Sequence, residues 1–484
     1  MAIQNPLQNP SQASPARRIR DLPGPPPLPL LGNAHQVRRE RLHQIAEDWA
    51  ERYGEMFRFR ITSREFMVIS NPEMVAAVLR DRPEGFRRTA RLESTAREFG
   101  FSGLFSSNGE AWKRQRPMVL GGLDPTHIKT FFPTLVRVTG RFARRWQQAA
   151  AAGQALALQA DLMRYTVDVT AGLAFGADIN TIESKDEVIQ AHLDKVLPAL
   201  SRRLFAPFPY WHYFRLPHDR EMDRHRAALN AAVDRFIGEA RQRLADNPRL
   251  REEPSNLIEA MIASRDREGS ALTDGDVSGN VLTMLLAGED TTAHTLAWMI
   301  WLLHRHPQAA RRAAEEVQRV LGDEPHPVRH EQLSQLDYVE ACMNEAMRLK
   351  PVAPIQVVEA GRDTVLGGVE VPAGTLVMLL MRPGAVDAKN FPEPKEFRPE
   401  RWIGGTGPAQ AASSAKRVAM PFGAGPRMCP GRYLAIAEIK MVMAMLLKGF
   451  EIDSVTGPDG TDARERLALT MSPVGLTMRL RARH

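Results

Sequence analysis

The amino-acid sequence predicts a mainly α chain with small β-sheets, forming a single large domain built around a long central helix. Three observations carry that expectation. An apolar stretch interrupted by a few polar residues runs from Thr273 to about His304, long enough at about 1.5 Å per residue to cross a whole domain. Helical apolar spacing dominates the rest of the chain, whereas alternating, strand-like stretches stay short. No internal repeat or convincing linker divides the 484 residues.

The elements follow in order. Residues 1–21 are polar, proline-broken and partly basic, which predicts a flexible tail ahead of a domain over 22–484. Leu22–Asn33 (LPGPPPLPLLGN) is rich in proline, whose fixed φ favours an extended linker. Arg41–Tyr53, Pro72–Leu79 and Thr126–Ala151 carry helical spacing, and Met56–Ile61 with Glu65–Ser70 alternate as a hairpin around Thr62-Ser63-Arg64. Gln154–Phe175 and Asp219–Leu244 read as largely helical; between them, Leu204–Pro217 (LFAPFPYWHYFRLP) reads as a loop with an apolar rim. The long helix has Thr273 or Asp274 as its N-cap and Pro307 just beyond its end. Pro307–Leu321 and Leu336–Leu349 are further helices, Val365–Leu380 alternates as strands with glycine turns, and Pro430–Lys448 is a last helix before a strand-like tail.

Composition excludes several classes. With 43% hydrophobic and 25% charged residues the chain is neither collagen-like nor disordered. It has no signal-peptide core and no apolar run long enough to span a bilayer, which predicts no membrane anchor and a cytoplasmic protein. Lys plus Arg is 64 against 57 Asp plus Glu, a net +7. Such a surface can attract nucleic acid, anionic lipid or an acidic protein, but no concentrated reader motif for nucleic acid is present. Two cysteines, Cys342 and Cys429, exclude a disulfide-stapled scaffold.

Cys429 sits in FGAGPRMCPG (Phe422–Gly431), after a glycine-rich loop and just before a helix. Free backbone N–H groups and the positive helix end aimed at the sulfur would favour the thiolate. A lone thiolate does not make a zinc site. It suits the single axial ligand of a haem, and a buried structural cysteine or a nucleophile are the alternatives. In the long helix, AGEDTT (Ala287–Thr292) breaks an apolar run with acids and hydroxyls. A threonine hydroxyl bonding a carbonyl four residues back can bend the helix, and with Gly288 the bend would open a groove. A carboxylate beside a hydroxyl can relay protons; a polar patch on a core helix is the other reading.

FGAGPRMCPG resembles the haem-binding signature of the cytochrome P450 superfamily, filling Phe422, Gly425, Arg427, Cys429 and Gly431 together, with Gly423 a further cofactor-binding residue, and the resemblance extends from about Leu22 to the C-terminus. It implies a cytochrome P450-like domain with the long helix over the haem, haem b as cofactor and Cys429 as its metal ligand. It further implies that Phe422 packs near the sulfur and that Arg427 pairs with a haem propionate. In the long helix, Asp290 and Thr291 match the family's proton-delivering acid and alcohol, and Ala287 would lie over the haem and touch substrate. Trp112 and Arg116 match a propionate-binding pair, whereas no arginine follows at the further propionate position near Gln356 and Val358. Glu345, Arg348 and Arg401 match a buried structural network, and Cys342, on the same helix, reads as core.

By position, the resemblance places substrate contacts at Phe99, Phe101, Leu104, Phe105, Met284, Val352, Ile355 and Val474, mostly apolar, which suits a lipid, terpenoid or other natural product. Arg87, Arg91 or Arg97 could anchor a carboxylate and so allow a fatty acid. The implied activity is insertion of one oxygen atom from O2 by a monomeric monooxygenase. Its electrons would come from a separate ferredoxin or flavodoxin fed by an NAD(P)H reductase, docked on a basic face near Lys113, Arg114, Lys416, Arg417 and Lys440. Peroxide-driven oxygenation, a non-oxidative isomerase and a haem sensor without turnover are the competing readings.

Overall fold

The computed structural model describes residues 7–8, 17–184, 188–206, 208–403 and 415–483. The long helix is Asp274–Arg305, 32 residues, or about 48 Å. Thr273 caps it: its hydroxyl accepts from the Asp276 N–H while Asp276 reaches back to the Thr273 N–H, which satisfies donors that a bare helix start would leave open. Its apolar residues lie all round the axis, so the helix is buried on most sides. The helices Leu158–Phe175, Pro217–Asp246, Leu257–Asp266, Asp337–Leu349 and Arg432–Gly449 pack on it. A close approach to Leu158–Phe175 is made at Gly288, where a Cβ would stand 2.5 Å from Thr170 Oγ1. Gly288 was expected to help open a groove; it lines the cavity described below, and its lack of a side chain also lets two helices touch.

Small sheets flank the helices. The predicted hairpin forms Met56–Ile61 and Arg64–Ile69, with Phe59 opposite Phe66. It joins a five-stranded sheet through Leu376–Leu380, parallel to Arg64–Ile69, then Ile355–Ala360 and finally Phe86–Arg88. Near the C-terminus Glu465–Leu467 pairs antiparallel with Met471–Pro473, so residues 468–470 form the turn. One large apolar core joins the helices, and a second lies under the five-stranded sheet.

Three features depart from the sequence expectation. The N-terminal segment is not free throughout: Leu7–Gln8 pairs with Leu366 and Val365, and Arg17–Arg18 pairs with Val369 and Glu370. The exposed edges of a two-strand ribbon take up its backbone; residues 1–6 and 9–16 of that segment lie outside the described residues. The Leu204–Pro217 stretch is only partly loop, since a helix runs to Phe205 and a short turn forms at Tyr210–His212; Pro207 lies outside the described residues. Helices Ala90–Glu98 and Leu257–Asp266 were not anticipated. The first is mostly polar and buries only Leu92, Thr95 and Ala96, and the second is short and buried on nearly all sides.

Candidate active site

A cavity of about 1070 Å³ opens between the central helix, the five-stranded sheet and the cysteine loop. Cys429 and Thr291 both line it. The loop that carries the cysteine is folded tightly, with the Cys429 N–H donating to Phe422 O at 3.0 Å and the Met428 N–H to Gly425 O at 3.0 Å. Gly425 has φ +71°, and a Cβ there would stand 2.5 Å from Leu79 O, so only glycine fits. Gly423 and Gly431 line the cavity, and a Cβ on either would meet no atom within 4 Å. The loop therefore presents a bare, open surface around the sulfur.

The Gly431 N–H bonds the Cys429 sulfur, and the Arg116 and Arg432 guanidiniums favour its anion. Burial acts in the opposite direction and prevails, so the thiol is pushed up from its ordinary range. The helix-start amide thus favours the thiolate as expected, but burial outweighs it, and a bound cation would have to supply the rest. Cys342, in contrast, is fully buried in the core and its thiol is pushed well up by burial.

Beside the cysteine lies a cluster of arginines. Burial, and then repulsion from Arg88 and Arg427, push Arg82 down to about 8. Burial, Arg88 and Arg116 push Arg427 down to about 9, and burial pushes Arg88 down to about 10. Arg82 Nε and Nη2 and Arg427 Nε are buried without a partner. Arg427 bonds Ser107 O and lies 5.0 Å from the centre of the Trp112 ring, while Arg116 Nη2 donates to Met428 O at 2.7 Å. Buried cations without counter-charge are costly, so this cluster is built to receive anions. An open floor, a cysteine sulfur and a cluster of unneutralised arginines fit a haem with its two carboxylates. The sequence reading found Arg427, Arg116 and Trp112 and missed Arg82 and Arg88. Arg88 stands directly across the sheet from Val358, the position where no arginine was found, so a neighbouring strand supplies the charge.

On the central helix the Thr291 hydroxyl donates to Ala287 O at 2.9 Å and faces the cavity with Ala287 and Met284. Asp290 does not line the cavity. Its Oδ2 accepts from the Thr470 hydroxyl at 3.3 Å, and Thr470 does line it. His294, one turn on, lies 3.5 Å from the same hydroxyl, and burial pushes its imidazole down. Thr470 and the buried Glu438 are cavity residues that the sequence reading missed. The visible signal for Glu438 was a lone acid in an apolar helix.

Among the expected substrate contacts, Phe101, Leu104, Phe105, Met284, Val352 and Ile355 line the cavity. Phe99 does not: it stacks on Phe101 at 6.0 Å and lies under the Arg203 guanidinium at 4.7 Å, backing the wall. Val474 does not line it either; its N–H donates to Arg464 O, and the turn at 468–470 faces inward instead. Of the three arginines expected to anchor a carboxylate, Arg91 lines the cavity and bonds the carbonyls of Arg203 and Ala206, whereas Arg87 and Arg97 do not line it and pair with Glu359 and Glu93.

Away from the cavity, Glu345 is fully buried and bonds Arg348, Arg401 and Trp402 Nε1. Lys440 was expected on a basic docking face but is buried, bonding Glu340 and Leu333 O; the apolar helix that carries it turns inward there. Lys416 and Arg417 are exposed. Lys113 and Arg114 are exposed as well, but paired with Glu110 and Asp276. No helix of the described residues is long and apolar enough to cross a membrane.

The family model described as cytochrome P450 matches residues 22–478. Cyclooctat-9-en-7-ol 5-monooxygenase of Streptomyces melanosporofaciens is 28% identical over 447 residues, covering 92% of this chain and 93% of that protein. Pentalenene oxygenase of Streptomyces avermitilis is 28% identical over 461 residues, covering 95% and 97%. Bifunctional cytochrome P450/NADPH–P450 reductase 2 of Bacillus subtilis is 27% identical, and the match covers 93% of this chain but 42% of that protein. In fold, the crystal structure of the cytochrome P450DA heme domain matches with TM-score 0.82 at 24% identity, covering 96% of this chain and 98% of that one.

Proposed function

The chain belongs to the cytochrome P450 family, and from that premise we propose that it hydroxylates or epoxidises a neutral apolar carbon skeleton of terpenoid or lipid type. It is a haem b monooxygenase, an oxidoreductase that uses O2. One observation carries the choice of substrate. Much of the cavity wall is apolar, at Phe101, Leu104, Met284, Val352 and Ile355, and of the three arginines considered for a carboxylate, Arg91 is held by two carbonyls while Arg87 and Arg97 lie outside the lining and pair with Glu359 and Glu93. Two of the similar enzymes are named for cyclooctat-9-en-7-ol and pentalenene, which supports the terpenoid reading.

Cys429 would ligate the haem iron, with Trp112, Arg82, Arg88, Arg116 and Arg427 around the propionates. When bound, the haem supplies the redox chemistry that activates O2. The chain's residues do the rest. The apolar walls exclude water and orient the substrate beside Thr291. The Thr291 hydroxyl gives its proton to Ala287 O, so its oxygen lone pairs are free to accept from a water in the cavity and hold it for proton transfer. Asp290 reaches the cavity through the Thr470 hydroxyl, giving a second, indirect proton path. Electrons would come from a separate ferredoxin or flavodoxin meeting the exposed Lys416 and Arg417. A monomer in the cytoplasm completes the reading.

A fatty acid is the second substrate reading, on one observation: Arg64 lines the cavity and pairs with no carboxylate among the described residues, while burial pushes its guanidinium down. The test is a carbon monoxide difference spectrum of the reduced protein, followed by turnover of cyclic terpenes and fatty acids with added ferredoxin and reductase. A strongly red-shifted Soret band and an oxygenated terpene support the proposal. Turnover of fatty acids alone, lost in Arg64→Ala, would transfer it to the second reading. A histidine-type carbonyl spectrum would end the Cys429 assignment.

A further inference from the structure

Thr283, Ala287, Thr291 and Thr295 follow one another at four-residue steps on the central helix and all line the cavity, so they form one stripe along its wall. Each threonine of the stripe donates its hydroxyl hydrogen to the carbonyl one turn back. Thr283 gives it to Gly279 O at 2.7 Å, Thr291 to Ala287 O at 2.9 Å and Thr295 to Thr291 O at 2.8 Å. Thr292 gives its hydrogen to the Glu438 carboxyl group. Thr470, on the 468–470 turn, gives its own to Asp290 Oδ2 at 3.3 Å. The hydroxyls that the central helix and this turn bring to the cavity therefore offer a ligand lone pairs and no hydrogen. Thr470 is the one set in an apolar frame. The Met471 N–H donates to Val352 O at 2.8 Å and the Ala468 N–H to Thr470 O at 2.9 Å, which fixes the turn beside Val352. Val352, Ala468 and Leu469 line the cavity with it. His294 Nδ1 lies 3.5 Å from Thr470 Oγ1, and burial pushes its imidazole down, so the ring is neutral at pH 7. A hydroxyl oxygen has two lone pairs; His294 can engage one, and the other is left for a ligand.

Resting on the monooxygenase reading, we propose that the substrate is an apolar skeleton that already carries one hydroxyl group, and that this hydroxyl donates to Thr470 Oγ1. The rest of the skeleton then lies against Val352 and Leu469. Thr470 binds the substrate and sets which skeletons are accepted and how they are turned. An alcohol satisfies the lone pair that the turn presents. A ketone or an ether would set one acceptor against another with no water between them, and a hydrocarbon would leave the Thr470 lone pair without a partner. A site arranged to bond a hydroxyl discriminates against analogues that lack it. The reading also places the enzyme in a sequence of reactions. A preceding hydration or oxygenation has to supply the alcohol, and the product is a diol or an epoxy alcohol.

The test is a Soret titration of the haem-loaded protein, which reads binding through the spin-state shift and needs no turnover. The four probes share one skeleton: decalin, 2-decalol, 2-decalone and 2-methoxydecalin. We expect 2-decalol to bind most tightly, and Thr470→Val to lower its affinity relative to 2-decalone by about fivefold or more. Thr470→Ser keeps the acceptor and should restore the wild-type order. The same ranking of the four probes in wild type and Thr470→Val would overturn the proposal. So would tighter binding of 2-decalone than of 2-decalol to wild type, which would point to the Gln356 amide, another group of the cavity wall, as a donor. If Thr470→Val does not retain haem, the wild-type ranking decides alone, and 2-decalol bound no more tightly than 2-decalone overturns the proposal. A shift with none of the four, while the carbon monoxide spectrum is of thiolate type, would go against the apolar-skeleton reading itself and take this proposal with it. Decalin bound as tightly as 2-decalol would leave that reading standing and overturn only the role of Thr470.

Discussion

Replacing Glu345 by Gln tests how much of the fold hangs on one buried carboxylate. Oε1 accepts from Arg348 Nη2 at 2.7 Å, the Arg398 N–H at 2.9 Å and Arg401 Nε at 3.2 Å; Oε2 accepts from Arg348 Nε at 2.8 Å and Trp402 Nε1 at 2.9 Å. Glutamine keeps the shape but turns one oxygen into a donor, so at the Oε2 position two donors would face a third. Each hydrogen bond to a charged group contributes about 1.5–3 kcal/mol, and breaking a buried ion pair costs about 3–5 kcal/mol. The Arg348 side chain, fully buried, keeps its three carbonyl partners, Ala385, Pro394 and Glu396, so its charge is solvated in part. The expected loss is about 4 kcal/mol, or roughly a thousandfold in the folded-to-unfolded ratio. Arg401→Ala removes a side chain 11% exposed and bonded to Glu345 once, at 3.2 Å, and should cost only about 1–2 kcal/mol. Urea unfolding of both variants and wild type, followed by far-ultraviolet circular dichroism, gives the numbers. Glu345→Gln within about 1 kcal/mol of wild type, or Arg401→Ala the costlier of the two, would refute the reasoning.

Three further outcomes are expected. Thr291→Ala should keep its haem but lose coupling, so that peroxide replaces product; unchanged product per NADPH consumed would contradict this. Arg82→Met should have opposite effects on two measurements: haem-free protein becomes as stable as wild type or more so, since an unpaired buried cation is gone, while haem escapes faster to an acceptor apoprotein. A fall in haem-free stability would show that Arg82 has another partner. Glu438 binds a proton up to about pH 8 in the fold but only to about 4.3 when unfolded, so the folded state holds more protons between those values. Its contribution to stability is full below the unfolded value and declines as pH rises toward 8. Wild type should therefore lose stability across that window relative to Glu438→Gln, and parallel curves of unfolding midpoint against pH would refute it.

The departures from the sequence reading share a physical cause. Phe99 and Val474 were placed by position along the chain, but facing is decided by packing: an Arg203 cation covers Phe99, and the 465–473 hairpin turns residues 468–470 inward instead of Val474. Lys440 sits in a helix so apolar that its charge is taken into the core with Glu340. Asp290 and Thr291 are neighbours in sequence, but the helix turns consecutive side chains apart by about 100°, so one meets Thr470 and the other the cavity.

The sequence by itself determined the long helix and its cap, the hairpin at Met56–Ile69 and the helices from Pro307 onward, because capping, periodicity and turn chemistry are local. It also determined the cysteine loop, because tight turns and a lone thiol before a helix are written in adjacent residues. Only the tertiary structure decided which cations gather around that loop. Arg82 and Arg88 come from segments more than 300 residues earlier in the chain, and their lack of counter-charge is a property of burial, which no local pattern records. The same holds for Glu438: an acid in an apolar helix is visible in the sequence, but its burial depends on the helices that pack around it.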